Sequence, residues 1–81
     1  MTWEELKEEA KKMGAEIIKG VVGDLTYEVI IFNHFRFYRD GVITYPDFLP
    51  LEDRHFVAKD RKPDQMLAIM KALQQKEMDD D

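Results

Sequence analysis

The sequence predicts one α+β domain: a helix, an antiparallel meander of three to four strands, then a second helix, with both helices on one face of the sheet. Three observations carry this. Residues 2–13 repeat apolar side chains at helical spacing behind a capping signal, residues 15–45 are rich in β-formers punctuated by two-residue turn signals, and residues 63–77 return to helical spacing after a proline.

In the first helix, Thr2 and Glu5 stand in capping-box spacing, which satisfies two backbone donors otherwise left without partners. Met1 and Leu6 occupy the positions of a hydrophobic staple around that cap. Trp3, Leu6, Ala10 and Met13 form one apolar stripe. Glu4 and Glu5 suit the positive end of the helix dipole, and Lys11 and Lys12 the negative end. Gly14 is a natural terminator, because it accepts the left-handed conformation that closes a helix.

Gly23-Asp24, Asn33-His34 and Asp40-Gly41 read as hairpin turns between strands near 15–22, 25–32, 35–39 and 42–45. If Asn33-His34 is only a bulge, the second and third strands merge. Pairing outward from two-residue turns sets Val22 opposite Leu25, Lys19 opposite Glu28, Ile17 opposite Ile30, Phe32 opposite Phe35, and Ile30 opposite Phe37. One face then carries a charge ladder, Lys19–Glu28–Arg39, which opposite charges across strands stabilise. The other face holds Ile18, Val22, Leu25, Tyr27, Val29, Ile31, Tyr38 and Ile43, and is expected to pack under the helices.

Residues 46–62 are expected to be irregular, since Pro46 and Pro50 interrupt any strand, with room for a short helix in 51–58. Pro63 fits the first position of the last helix and Asp64 its first turn. Met66, Ile69, Met70 and Leu73 make its buried stripe, with Leu67 beside it. The domain is expected to span 1–78, and residues 79–81 to form a disordered acidic tail.

Composition narrows the functional classes. Eighty-one residues suffice for one core and bury only about 60% of the surface the unfolded chain exposes. There is no cysteine, which removes disulfides, thiolate metal sites and cysteine nucleophiles and favours the cytoplasm for so small a domain. The start lacks the basic-then-apolar pattern of a signal peptide, and the longest apolar run is Val29-Ile30-Ile31-Phe32, too short for a membrane span. The net charge of −5 disfavours polyanion binding.

Neither catalysis nor a cofactor is expected. There is no serine, the glycines at 14, 20, 23 and 41 are too scattered for a phosphate loop, and the carboxylates lie on a solvated helix face or in the acidic end. The two histidines, His34 and His55, have no spacing that draws a metal site from Asp47 or Asp53, and read as turn or surface residues.

Two surfaces remain. On the expected outer face, Ile17, Ile30 and Phe37 line up across strands, with Phe32 and Phe35 near the turn. Left bare, this is an apolar patch that marks a partner surface for another protein or a second copy; alternatively, the 46–58 segment folds over it with Phe48, Leu49, Leu51, Phe56 and Val57. The other surface is basic: Arg36 and Arg39 interleave with aromatics, and Lys59, Arg61 and Lys62 precede the last helix. Strand aromatics of this kind stack on bases and a helix N-terminus attracts phosphate, so nucleic-acid binding, or mimicry of nucleic acid by the acidic surface, is the alternative.

The helix–strands–helix order resembles the double-stranded RNA-binding domain in topology. Lys59, Arg61 and Lys62 fall near where that family carries basic residues at its second helix, but the rest of its signature is missing and the chain is acidic. FYRDGVIT and RKPDQMLAIMKAL resemble segments of small uncharacterised proteins of bacterial genomes and prophages. That resemblance implies no activity. The function expected is a small non-enzymatic protein-interaction module.

Overall fold

Thr2 starts α1, Trp3–Lys12, with a complete capping box. Its backbone N–H donates to Glu5 Oε1 at 2.9 Å, and its Oγ1 accepts from the Glu5 N–H at 3.1 Å. The helix ends in a Schellman motif. Gly14, at φ 89°, donates to the Lys11 carbonyl and Ala15 donates to the Ala10 carbonyl. The computed structural model describes residues 1–79, and side-chain surroundings as far as residue 76.

Five strands follow: β1 (Glu16–Val22), β2 (Leu25–Phe32), β3 (Phe35–Tyr38), β4 (Ile43–Tyr45) and β5 (His55–Ala58). They form one antiparallel sheet in the order β1-β2-β3-β4-β5. The architecture is therefore α+β, with one strand more than the sequence suggested. The extra strand is β5, in a stretch read as irregular or helical. Helix formation there stops after one 3₁₀ turn, Leu51–Asp53. Arg54 then turns extended, and His55–Ala58 pairs along the open edge of β4.

Asn33-His34 is a true turn. Both residues have positive φ (52° and 70°), the type I′ pattern that matches strand twist, so β2 and β3 remain separate. The third turn is one residue longer than Asp40-Gly41 alone. Tyr38 and Val42 close it around Arg39-Asp40-Gly41, which sets Ile43 opposite Phe37 and not Tyr38. Gly41, at φ 99°, leaves no room for a Cβ, because the Arg61 backbone N lies 2.9 Å from where one would stand.

The strand pairings of the first two hairpins match the sequence-derived register as far as Tyr38; the expected Glu28–Arg39 rung of the charge ladder does not form, because β3 ends at Tyr38 and Arg39 lies in the following turn. The face does not match. The helices cover Ile30, Phe32, Phe37 and Ile43, which pack with Trp3, Leu6 and Ala10 of α1 and Met66 and Met70 of α2, Pro63–Asp79. Ile17 and Phe35 pack against the same core. The expected core face is the open one, except for Ile43, which the longer third turn carries to the covered side. The charge ladder was a misleading guide. The inner face can carry charge because a helix offers polar side chains beside its apolar stripe. Lys7, in the middle of α1 next to Leu6, meets Glu28 in this way.

The last helix runs through Asp79, past the expected end at 77. Of the expected acidic tail, Asp80 and Asp81 lie outside the described residues. No helix among the described residues is long and apolar enough to cross a membrane.

Candidate partner interface on the open sheet face

The five residues expected to form an outer apolar patch, Ile17, Ile30, Phe32, Phe35 and Phe37, lie on the helix-covered side. Ile30 and Phe37 are fully buried and Phe32 nearly so, while Ile17 and Phe35 are half-buried. They are core, and the partner-surface assignment to them is overturned. The reason is the two-residue period of a strand: with apolar residues on both sides, register alone does not say which side the helices take.

The face opposite the helices is built in cross-strand rows. One row runs Glu16, Ile31, Arg36, Thr44, Phe56 from β1 to β5. The next runs Ile18, Val29, Tyr38, and further out Gly20 pairs Tyr27 and Val22 pairs Leu25. Val29 is buried within its row, while Tyr27, Phe56 and Leu25 are largely exposed. The Tyr27 ring lies across Gly20, filling the space where a side chain would stand.

The proline-containing connector between β4 and β5 curls onto one corner of this face. It leaves β4 through a cis Tyr45-Pro46 bond. The Asp47 N–H donates to the His34 carbonyl at 2.8 Å, and His34 Nδ1 lies 3.1 Å from Asp47 Oδ1. Arg54 pins the return: its Nε donates to the Leu49 carbonyl at 2.7 Å, and a terminal nitrogen approaches the Tyr38 hydroxyl at 3.5 Å. The connector does not seal the corner. Phe48, Leu51 and Phe56 remain 68%, 59% and 62% exposed.

A hollow of about 230 Å³ opens there, lined by Tyr38, Asp40, Val42, Thr44, Leu51 and Phe56. Beside it stand two polar groups in want of partners. Arg36 Nε and Thr44 Oγ1 are buried with no hydrogen-bond partner among the described residues. Arg36 and Thr44 face each other across β3 and β4.

The basic residues are dispersed. Arg36 is on the open face and half-buried; Arg39 is exposed in the β3–β4 turn; Lys59, Arg61 and Lys62 are exposed between β5 and α2. Lys59 sits over the Phe56 ring, 5.4 Å from its centre. The Arg61 N–H donates to the Gly41 carbonyl, which brings Arg61 beside the Arg39 turn, with Asp40 and Asp60 alongside. His55 pairs across the ladder with Tyr45. No group of three or more His, Asp or Glu able to hold a metal occurs among the described residues.

Sequence reasoning passed over Leu51 and Phe56 as open-face residues because β5 was not recognised, and Thr44 because the third turn is one residue longer than Asp40-Gly41. A signal for the correct face was present: Gly20 and Arg36 both fall on the face assumed to be core, and a glycine and a guanidinium are poor core formers. No family model matches the chain, and no curated protein or solved structure does.

Proposed function

We propose that this chain is a small non-enzymatic protein-interaction module that binds its partner through the open face of its sheet. The observation that carries the reading is that the sheet face bearing Ile18, Tyr27, Ile31, Tyr38 and Phe56 has neither α1 nor α2 over it, and only the connector with Leu51 at one corner. Apolar area of this kind, rimmed by polar groups, is the usual mark of a partner surface. Tyrosine, phenylalanine and arginine are also the residues that protein interfaces favour. A cysteine-free domain of this size suits a reducing compartment such as the cytoplasm.

The test is affinity capture from a lysate of the source cells, using the wild-type chain and a Tyr38→Glu/Phe56→Glu variant matched to it in melting temperature. The expected result is a set of bound proteins retained by the wild type and lost by the variant. Equal capture by both chains would remove the open face from the mechanism.

A further inference from the structure

β1 is an edge strand: β2 lies on one side of it and no described strand on the other. Its backbone groups alternate in direction. Val22 and Leu25 flank the two-residue turn Gly23-Asp24, so that pair exchanges hydrogen bonds, as do Gly20–Tyr27, Ile18–Val29 and Glu16–Ile31. Ile17, Lys19 and Val21 therefore turn their N–H and C=O groups outward. Among the described residues no backbone bond from a turn, loop or cap reaches those groups. Sheets ordinarily blunt an edge by shortness or a bulge. The other edge has both devices, since β5 is four residues long and its ladder slips at Ile43/Thr44. β1 runs seven residues in unbroken register.

Val21 and Val22 say what kind of occupant fits. They point to opposite faces of the strand, and they are 70% and 66% exposed. A partner lying on either face covers one valine and leaves the other bare. A strand added in the plane of the sheet flanks both, and its backbone meets the outward groups of Ile17, Lys19 and Val21. We infer that the free edge of β1 takes up an extended segment of a partner polypeptide, paired as an added strand. This surface is separate from the open-face site, since Tyr38 on β3 and Phe56 on β5 lie two and four strands away.

The rows that the segment joins set its chemistry. Lys19, in the middle of β1, is exposed and lies 3.8 Å from Glu28. An acid opposite Lys19 extends that rung to a third side chain, and apolar residues suit the positions opposite Ile17 and Val21. A second copy is the poorer fit. Antiparallel pairing of β1 with itself over its full length is centred on Lys19, and sets it against Lys19 of the second copy.

Selection from a displayed library of short random peptides on the full chain tests the inference. Enriched peptides are expected to alternate apolar residues around an acid. Val21→Pro removes an outward N–H and fills the space of the incoming backbone without touching the β1–β2 ladder. It is expected to weaken their binding at least about tenfold, whereas the Tyr38→Glu/Phe56→Glu variant is expected to keep it. In case Val21→Pro disturbs folding, N-methyl groups on alternate residues of a selected peptide give an independent reading. On the residues that bond β1 they are expected to end binding, and shifted by one residue to spare it.

No enrichment over a chain-free control overturns the inference, as does equal binding by a folded Val21→Pro chain or by both N-methyl series. Loss of the peptides in the Tyr38→Glu/Phe56→Glu variant also overturns it, and assigns them to the open face. Wild-type sedimentation at the mass of a dimer that Val21→Pro abolishes gives the edge to a second copy, against a foreign segment. The open-face reading is judged separately by its own capture experiment, in which the β1 edge is left intact.

Discussion

Lys7 of α1 hydrogen-bonds Glu28 of β2, twenty-one positions along the chain. Lys7 is also 2.9 Å from Glu4, and Lys19 comes within 3.8 Å of Glu28 from the neighbouring strand. The contact ties the first helix to the second strand at the place where the apolar core ends. Both side chains are mostly shielded, at 9% and 16% exposure. A pair in this setting is worth more than one in open water.

The pair makes stability depend on pH at both extremes. The hydrogen bond from Lys7, with Lys19 as a further nearby cation, holds the Glu28 carboxyl below its ordinary range. A depressed carboxyl contributes stability above its unfolded value of about 4.3, and that contribution disappears as pH falls through the folded value. Glu28, and next Glu4, raise the Lys7 ammonium. Its contribution is complete below about pH 10.4 and disappears as pH rises through the raised value. Glu28→Gln is expected to cost about 1–3 kcal/mol at neutral pH and to shrink the acid loss. Urea unfolding at pH 7 and at successively lower pH checks both, and an unchanged acid limb would refute the assignment.

The assignment of faces makes an opposed pair of expectations. Phe37 is fully buried between the sheet and the helices, whereas Phe56 is mostly exposed on the open side. Phe37→Ala is expected to cost about 3–5 kcal/mol. Phe56→Ala is expected to stay within about 0.5 kcal/mol of the wild type, as surface changes do. Chemical denaturation of the two variants decides the matter; the reverse order would mean that the helices lie on the other side.

Two glycines lack room for a Cβ in different ways. At Gly41 the obstacle is the backbone of Asp60 and Arg61, and φ is also positive. At Gly20 the obstacle is only the Tyr27 ring, which is 48% exposed and free to swing away. Gly41→Ala is expected to lower stability by more than about 1 kcal/mol, from strain and collision together. Gly20→Ala is expected to be neutral or to stabilise the strand by up to about 1 kcal/mol. Melting temperatures measured side by side distinguish the two.

The ends of α1 give a fourth expectation. Thr2→Ala removes the hydroxyl that accepts from the Glu5 N–H and is expected to cost about 1 kcal/mol. Gly14→Ala puts a side chain at φ 89° and is expected to cost about the same. Thermal unfolding followed by far-ultraviolet circular dichroism reads each change, and the two should add, because the sites are at opposite ends of the helix.

The sequence by itself determined the local structure: the capped first helix, the proline-led second helix, and the pairing of the first two hairpins down to Ile17–Ile30–Phe37. These follow from neighbours in the chain, since a cap needs only Thr2 and Glu5, and a turn sets the register of the strands it joins. The third turn was misread by one residue because a glycine with positive φ serves in both two- and three-residue loops. β5 was missed because its pairing partner, not its own composition, makes it a strand.

Only the tertiary structure decided which side of the sheet is core. Strands alternate, and here both sets of alternating positions are rich in Ile, Val, Phe and Tyr, so neither identifies itself as the inside. The choice is made by α1 and α2 together, which gather Trp3, Leu6, Met66 and Met70 over Ile30 and Phe37. That long-range packing leaves Arg36, Thr44 and Phe56 on the side the helices do not cover.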